Sequence, residues 1–280
     1  MRLGTGYGSV GFLGAGALAE AVAGGLIASG LPPERMWVCN RSDDGRLERF
    51  RRVGLHTTRS KADLAGADAI LLAVKPADAG PALRELGPVL RQGQRIISCM
   101  AGVSTAFIED ALGGRPRVAR AMPNVASAVR ASATALCPGR YCEPPDMDAA
   151  ARLLSAVGEV VRVDEAMLDA ATALAGSGPA YVLLLAEAMA ASGRSLGLPR
   201  PVAVHLALQT LAGAARLALE TERPLADLRA AICSPGGTTV AGLRVLEEGG
   251  FTALVAAAVA RAAERSRELG AEHSAPGAGA

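Results

Sequence analysis

The chain has 280 residues, of which 50% are hydrophobic and 20% are charged, and its formal net charge at pH 7 is +2. This composition is typical of a folded globular protein and excludes a disordered one. The near-neutral charge and the 3% of aromatic residues also argue against nucleic acid and anionic membranes as partners, because such partners need clustered basic or stacking side chains.

The cysteines and histidines give no sign of a metal site. Five cysteines and three histidines are scattered along the chain without the spacing of metal ligands or of a disulfide framework. The N-terminus lacks the basic and apolar regions of a secretory signal, and no apolar run is long and unbroken enough to cross a bilayer. We therefore expect a cytoplasmic protein with no bound metal and no membrane partner.

The first part of the chain, to about residue 163, alternates β-rich runs with helical ones. Between several of the strands lie stretches with helical spacing, such as 17–29, 78–90 and 147–156. Strand–helix alternation predicts an α/β fold, with an N-terminal Rossmann-type doubly wound sheet that is largely parallel at its start. The predicted strands are 9–13, 36–40, 69–74, 95–98, 117–121, 132–136 and 160–163.

From residue 164 the β pattern disappears and a C-terminal all-α domain is predicted. The run 203–219 is apolar or small on nearly every face, which is typical of a buried helix, yet this part of the chain is too short to bury it. We therefore expect the domain to pack against a second copy of itself. The predicted domains are 1–163, 164–270 and a disordered tail 271–280, and the predicted helices are 167–175, 180–196, 201–222, 225–232, 238–248 and 252–269.

A glycine-rich turn joins the first predicted strand to the first helix. Its G-x-G-x-x-A pattern begins at Gly14, continues through Gly16 and ends at Ala19. Gly14 allows a tight turn, Gly16 lets the backbone approach a pyrophosphate, and Ala19 lets helix and strand pack closely. The phosphates would lie at the positive end of the helix. The pattern predicts a dinucleotide site, and the alternative is a merely structural turn.

The end of the second predicted strand indicates which dinucleotide is bound. An NAD site places Asp or Glu there, but this chain has Asn40, Arg41 and Ser42. A guanidinium with two small polar side chains favours the 2′-phosphate of NADPH, while NADH stays possible. The alternative is that Arg41 is one more solvated arginine, and Asp43 and Asp44 nearby weaken the case for a phosphate.

Lys75 is one of only two lysines and follows the strand at 69–74. Pro76 ends that strand, so Lys75 is expected at the carboxyl edge of the sheet, where open α/β folds bind their ligands. Its ammonium group would either contact the cofactor or remain in solvent.

A second polar turn stands before the predicted helix 238–248. Gly236 and Gly237 expose backbone N–H groups, the hydroxyls of Ser234, Thr238 and Thr239 surround them, and the helix adds its positive end. Such a turn suits a carboxylate without any lysine or arginine. The alternative is an ordinary N-cap, but the dinucleotide turn and the preceding segment 176–181 favour substrate binding.

Six blocks occur in the order "GFLGAGALAEA", "AVKP", "SCMAGV", "RAMPN", "LAGSGPAY" and "SPGGTT". They resemble the Δ1-pyrroline-5-carboxylate reductase family through nearly the whole chain. The resemblance implies a Rossmann domain and a helical domain that interlocks two subunits, giving a homodimer or a higher oligomer such as a decamer. It also implies NAD(P)H-dependent reduction of the C=N bond of 1-pyrroline-5-carboxylate to L-proline, the last step of proline biosynthesis.

The resemblance further implies a role for each matching position. Thr239 is implied to hydrogen-bond the ring nitrogen as the catalytic residue, and Glu222 to lie near the substrate. Three positions depart from the family pattern. Many members have Asn where this chain has Ser60, a polar residue is common where it has Ala17, and some relatives have Asn where it has Ala231. Cofactor binding is implied for Gly14, Ala15, Gly16, Ala17, Leu18, Asn40, Arg41, Ser42, Ser60, Ala73, Val74, Lys75 and Pro76, and substrate binding for Ser234, Gly236, Gly237, Thr238, Thr239, Met122, Pro123 and Asn124.

Two other functions share part of this pattern. A β-hydroxyacid dehydrogenase also has a Rossmann domain followed by helices, but it needs a general base, usually a lysine on a later helix, and this chain has no lysine beyond Lys75. A non-catalytic NADP(H)-binding sensor would keep the glycine turn and have no use for residues 234–239.

Overall fold

The computed structural model describes residues 8–42 and 45–274. Asp43 and Asp44, which were weighed against a phosphate site at Arg41, lie outside the described residues. Residues 275–280 of the predicted tail lie outside them as well.

An eight-stranded sheet forms the centre of the N-terminal part, in the order β3-β2-β1-β4-β5-β6-β7-β8. All neighbouring strands are parallel except β6 and β7, which are antiparallel. The order reverses beside β1, and the crevice at such a reversal is where doubly wound sheets bind ligands. The predicted doubly wound fold is confirmed. The strands are β1 (Val10–Leu13), β2 (Met36–Cys39), β3 (His56–Thr58), β4 (Ala69–Leu72), β5 (Arg95–Ser98), β6 (Arg117–Met122), β7 (Ser132–Pro138) and β8 (Gly158–Arg162).

Helices cover both faces of the sheet because its central strands are apolar on both sides. In β4, Leu71 joins a core formed with α1 and α5, whereas Ile70 and Leu72 join a second core formed with α3 and α4. This division follows the two-residue period of a strand. The helices of this part are α1 (Ala17–Ala28), α2 (Arg46–Arg52), α3 (Ala79–Leu86), α4 (Thr105–Leu112) and α5 (Pro144–Leu154).

Strand β3 was not predicted from the sequence. It has only three residues, His56–Thr58, none of which is buried, and it forms an edge of the sheet. The His56 ring stacks on Trp37 of β2 with the ring centres 5.1 Å apart. A short polar edge strand has no apolar alternation, so the pattern that reveals a strand is missing.

From residue 164 to residue 274 the described chain is helical or turn, as predicted. A π-helical turn, Thr172–Gly176, follows α6 directly. Helix α11 continues through Ser274, so the prediction of a disordered tail was wrong for residues 271–274, where Ala271 and Glu272 are good helix formers. The helices are α6 (Leu168–Ala171), α7 (Gly178–Ser195), α8 (Arg200–Thr221), α9 (Leu225–Ala231), α10 (Thr238–Glu248) and α11 (Phe251–Ser274).

The described residues divide into two compact units. The first runs to Gly176 and also includes the chain from Ala262 onward, and the second is Ser177–Arg261. Within the first unit, the Ser266 hydroxyl of α11 donates a hydrogen bond to Asp169 Oδ1 of α6 at 2.6 Å. The last part of α11 therefore packs with the sheet unit.

The second unit buries little of its apolar surface in one protomer. Helices α7 and α8 contact each other through Ala190, Ala203 and Ala207, while Leu206 is 50% exposed and Leu219 is 79% exposed. Exposed apolar side chains in such number indicate an interaction surface. The surface that would bury α8 is therefore not supplied by the rest of this unit.

Two helical stretches, Glu165–Ser195 and Arg200–Thr221, are long and apolar enough to cross a membrane by length and composition alone. The expectation that no run could do so was wrong in that strict form. Core helices of soluble proteins pass the same test, so the two stretches are weak grounds for a membrane partner.

Candidate functional site

Three of the predicted cofactor segments begin at the same edge of the sheet. In the strand register Leu13 lies opposite both Cys39 and Leu72, so β1, β2 and β4 end together. The Gly14 N–H donates to Cys39 O at 2.8 Å, and the Ala73 N–H donates to Leu13 O at 2.8 Å. The structure thus brings the glycine turn, residues 40–42 and residues 73–76 together, as predicted from the strand ends.

The glycine turn fits a pyrophosphate. Gly14 has φ +110°, and a Cβ there would lie 2.6 Å from the carbonyl oxygen of Ala73, so only glycine is accommodated. Gly16 is the N-cap of α1 with φ −87°, no atom lies within 4 Å of the position its Cβ would take, and no side chain caps the helix. The first amides of α1 therefore have no side-chain acceptor and open space in front of Gly16. Ala15 is buried, Leu18 is half-buried and Ala17 is exposed.

Residues 40–42 present one guanidinium at this edge. The Asn40 side chain donates from Nδ2 to Ser42 O at 2.6 Å, which shapes the loop. The Arg41 side chain is 88% exposed, and its Nη1 lies 3.6 Å from Oδ1 of Asp78. An exposed pair at that distance is worth about 0–1 kcal/mol, so Arg41 can leave it for a phosphate. Asp78 was not singled out from the sequence, although its position two residues after Pro76 placed it at this edge.

Lys75 follows β4 and is exposed at the start of the turn Pro76–Asp78. Its ammonium group has no partner among the residues that the structure describes, whereas the other lysine, Lys61, is ion-paired with Glu85. Ala73, Val74 and Pro76 beside it are half-buried. Lys75 is therefore free to contact a ligand.

Ser60 lies two residues after β3, which ends beside β2. Its backbone N–H donates to Thr58 Oγ1 at 3.0 Å, and its side chain is exposed without capping the turn that follows. The Ser60 hydroxyl is thus available near the edge that carries residues 40–42.

Strand β6 carries Met122 at its end and leads to Pro123, which is buried, and Asn124, which is half-buried. The Asn124 side chain is engaged with the protein at both of its polar atoms. Nδ2 donates to Ala175 O at 3.0 Å, and Oδ1 accepts from the Ala126 N–H at 3.0 Å. These bonds restrict what Asn124 can offer to a substrate.

The polar turn at 234–239 belongs to the second unit and keeps its polar groups open. The Gly237 N–H donates to Ser234 O at 2.9 Å, Gly236 has φ +70°, and no atom lies within 4 Å of where its Cβ would be. Gly237 is the N-cap of α10 and has no side chain to cap it. Within the described chain, the hydroxyls of Ser234, Thr238 and Thr239 make no hydrogen bond, so the alternative of an ordinary side-chain cap is not realised.

Glu222 ends α8 in the left-handed conformation, with φ +51°. Among the described residues only Arg130 shares a positive φ without being glycine. Non-glycine residues are held in this region mainly where the surroundings require it, and such positions cluster at functional sites. Glu222 lies in the same unit as residues 234–239, for which substrate binding is implied.

The titratable side chains that the structure describes at the sheet edge include Lys75, Asp78 and Cys99, but no histidine. Burial raises the pKa of Cys99, which follows β5, to about 12, so its thiol stays protonated and a poor nucleophile. No group of three or more His, Cys, Asp or Glu that could hold a metal occurs in the part of the chain that the structure describes. The edge is therefore suited to positioning ligands rather than to strong acid–base chemistry.

A large cleft of about 1430 Å³ lies elsewhere on the first unit. It is lined by segments at the starts of β5 and β6, including Arg91, Arg115 and Arg117, which is the edge opposite the glycine turn. None of the predicted site residues lines it.

Comparisons with known proteins cover both parts of the chain. Residues 165–269 match a family model described as pyrroline-5-carboxylate reductase dimerisation, and residues 9–102 match one described as NADP oxidoreductase, coenzyme F420-dependent. A pyrroline-5-carboxylate reductase from Arabidopsis thaliana is 39% identical over 262 residues, which cover 93% of this chain and 95% of the relative.

Solved structures agree with these matches. A pyrroline-5-carboxylate reductase from Coxiella burnetii is 40% identical with a TM-score of 0.89, covering 94% of this chain and 98% of that chain. The crystal structure of Plasmodium falciparum pyrroline carboxylate reductase with NADP bound is 29% identical with a TM-score of 0.82, at the same two coverages.

Proposed function

The chain belongs to the pyrroline-5-carboxylate reductase family, and from this premise we infer how its residues carry out the reaction. It is an NAD(P)H-dependent oxidoreductase that reduces the C=N bond of 1-pyrroline-5-carboxylate to L-proline, the last step of proline biosynthesis. The observation that carries the assignment is the identity of 39% to a reductase of this name over 93% of the chain. The open turn at 234–239 supplies the matching chemistry.

We propose that the cofactor lies along the carboxyl edge described above. Residues 14–18 would hold the pyrophosphate at the start of α1, residues 40–42 and Ser60 the adenosine ribose, and residues 73–76 the nicotinamide side. NADPH is the preferred form because the exposed guanidinium of Arg41 can bind a 2′-phosphate bidentately. When bound, the reduced nicotinamide supplies a hydride to the imine carbon, and NAD(P)⁺ is left.

We propose that the substrate carboxylate is held by the turn before α10. The N–H of Gly236 and the hydroxyls of Ser234 and Thr238 would donate to its two oxygens, assisted by the positive end of the helix. Gly237 would border the carboxylate and shape the turn, because its own N–H donates to Ser234 O. Thr239, one residue further along α10, would hydrogen-bond the ring nitrogen. Met122 and Pro123 would border the pocket. The absence of a side-chain cap on α10 supports this, because a cap would compete with the carboxylate for the same amides.

The reaction demands little acid–base equipment from the protein. An imine nitrogen can take up a proton near neutral pH, and the iminium carbon then attracts the hydride, so nitrogen gains the proton and carbon the hydride. The absence of a histidine among the described residues at the sheet edge agrees with this mechanism. Holding two ligands in a reactive orientation is worth roughly 7–11 kcal/mol, which makes positioning the main contribution of the chain.

The helical part makes the chain a homo-oligomer, because residues 165–269 match a dimerisation domain. We propose a homodimer as the basic assembly, with higher rings such as decamers built from it, and functional domains at 1–163 for NADP(H) and 164–270 for dimerisation and substrate. The exposed apolar face of α8 supports the dimer. A cytoplasmic location without nucleic-acid or membrane partners completes the proposal.

The reductase activity is tested by following the rise or fall of the NADPH concentration in three parallel reactions. One contains 1-pyrroline-5-carboxylate, the second a β-hydroxyacid with NADP⁺, and the third no substrate. We expect turnover only in the first, with L-proline as the product identified by mass spectrometry. Turnover of the hydroxyacid, or NADPH binding without turnover in any reaction, would replace this proposal with one of the two other functions.

A further inference from the structure

The chain passes from the first unit to the second between Gly176 and Ser177. The junction segment, residues 165–176, leads to this crossing. It consists of the turn Glu165–Met167, helix α6 and the π-helical turn Thr172–Gly176. The segment is one of two covalent connections to the unit that carries residues 234–239, and the other lies in α11 between Arg261 and Ala262.

The beginning of the junction segment is fixed by a partly buried ion pair. The Glu165 carboxylate accepts from Arg120 Nη1 at 3.0 Å and from the N–H and hydroxyl of Thr105 at 2.9 and 2.6 Å. Arg120 belongs to β6 and is only 9% exposed. Leu168, which is 1% exposed, packs beside this pair against Cys137. The start of the segment is thus bound to the sheet.

The end of the junction segment has an unusual need at Ala175. The carbonyl of Ala175 lies in the π-helical turn, where it would accept from the N–H of residue 180, and the donor in the α-helical pattern, residue 179, is proline and has no N–H. The next N–H, that of Ala180, donates instead to Ser177 O at 3.0 Å. A half-buried carbonyl without a donor is costly, so another group has to supply one.

Asn124 supplies that donor from the sheet unit. Its Nδ2 donates to Ala175 O at 3.0 Å. The amide cannot be reversed, because Oδ1 accepts from the Ala126 N–H at 3.0 Å and would otherwise face a carbonyl oxygen. The Asn124 backbone is fixed as well, since its N–H donates to Ser132 Oγ at 3.0 Å and its O accepts from Ser127 Oγ at 2.7 Å. The donor therefore sits on a rigid support.

We propose that Asn124 is a positioning residue for the hydride transfer rather than a substrate ligand. It replaces the hydrogen bond that Pro179 withholds, and so fixes the last turn of the junction segment before the helical unit begins. The proposal rests on the reductase function stated above. It links two sequence blocks, "RAMPN" and "GSGPAY", by one physical need: the second lacks a donor and the first provides it.

The test is the variant Asn124→Asp in the NADP⁺-bound, substrate-free enzyme and in turnover. Aspartate keeps the acceptor for Ala126 but turns a carboxylate oxygen towards the Ala175 carbonyl. We expect kcat to fall roughly 10–100-fold, because small misplacements of reacting groups cost about that much, with little change in the substrate KM. We also expect faster hydrogen exchange across residues 172–178, measured by mass spectrometry before any substrate is added.

Two readouts separate positioning from general loss of structure. As the pH is lowered, protonation of the introduced carboxylate would restore an O–H donor, so the ratio of variant to wild-type kcat should rise. The double variant Asn124→Asp with Pro179→Ala should recover slow exchange, because residue 179 then has an N–H for Ala175. The matched control is Thr172→Val, which removes the hydroxyl bond to Leu168 O inside the same turn and should keep kcat within about threefold.

Unchanged exchange together with a raised substrate KM would show that Asn124 contacts the substrate and would overturn the proposal. An unchanged kcat would overturn it too. If the wild-type enzyme failed to reduce 1-pyrroline-5-carboxylate, the reductase function would be refuted, while the exchange comparison would still decide whether Asn124 holds the junction segment.

Discussion

Gly14 and Gly16 stand two residues apart in one turn, and the structure predicts opposite consequences for replacing each by alanine. Gly14→Ala places a methyl group 2.6 Å from the Ala73 carbonyl oxygen, at φ +110°. A left-handed backbone costs an L-residue about 1–3 kcal/mol, and overpacking adds about 1–3 kcal/mol. We therefore expect Gly14→Ala to lower the free energy of unfolding by about 2–6 kcal/mol and to weaken cofactor binding as well.

Gly16→Ala meets neither penalty. Its φ of −87° with ψ of 178° is open to any residue, and no atom lies within 4 Å of the new methyl group. We expect the unfolding free energy to change by less than about 0.5 kcal/mol. The methyl group would occupy the space through which the pyrophosphate approaches α1. Loss of one charge-assisted hydrogen bond costs about 1.5–3 kcal/mol, which weakens NADPH binding by about 10–150-fold.

The measurements are chemical unfolding of the cofactor-free protein at one protomer concentration, and fluorescence titration with NADPH. Gly24→Ala is the matched control, because it adds the same methyl group to α1 where nothing lies within 4 Å. It should leave NADPH affinity unchanged and should not destabilise the protein, because alanine is the better helix former by about 1 kcal/mol. Wild-type NADPH affinity in Gly16→Ala would refute the placement of the pyrophosphate. Equal destabilisation by Gly14→Ala and Gly16→Ala would refute the steric argument.

Three further predictions concern the substrate, the cofactor and the fold. Thr239→Ala should lower kcat about 10-fold or more while leaving NADPH affinity nearly intact, and Thr239→Ser should recover most of the rate. Steady-state kinetics and cofactor titration measure the two properties, and an equal loss of cofactor binding would contradict the role of the hydroxyl. Arg41→Ala should weaken NADPH and spare NADH, and an unchanged ratio of the two specificity constants would remove Arg41 from the site. Asp146→Asn should lower the unfolding free energy by about 2–4 kcal/mol, because this carboxylate is 2% exposed and accepts from Arg95 Nε at 2.9 Å, whereas Asp148→Asn, in a half-exposed ion pair, should cost less than about 1 kcal/mol. Burial opposes the ionisation of Asp146, but the Glu143 N–H, Arg95 and Arg117 together lower its pKa. The wild-type protein should therefore exceed Asp146→Asn in unfolding free energy by the full amount at neutral pH, and the difference should shrink as the pH falls through that lowered pKa. A difference in stability that persists in acid would contradict this.

The sheet and the cofactor edge could be predicted because their signals are local. Apolar runs such as Ala69–Leu72 reveal buried strands, and a strand followed by Gly14 and Gly16 reveals the turn between β1 and α1. Parallel strands end at one edge, so residues 73–76 were placed correctly before any coordinates. Strand β3 was not predicted because His56–Thr58 pairs with β2, which is distant in sequence, and its own polar residues carry no strand pattern.

The role that we propose for Asn124 could not be predicted because it depends on a contact over 51 residues. The family resemblance implied instead that Asn124 borders the substrate pocket. Only the structure shows that its amide faces Ala175. One signal was available in the sequence. Pro179 has no N–H to offer the carbonyl four residues earlier, so a donor from elsewhere in the chain is expected there.

The exposed leucines of α8 have a consequence for how the protein is made. A newly synthesised chain folds with Leu206, Leu208 and Leu219 in contact with water. These side chains are buried only when the chain associates with a second copy of itself, and until then they can bind other apolar surfaces. The yield of active enzyme therefore depends on the relative rates of dimerisation and aggregation. Slow synthesis keeps the concentration of unpaired chains low, which suppresses aggregation because its rate depends more steeply on that concentration than dimerisation does. Strong dilution of the assembled enzyme favours dissociation of the subunits.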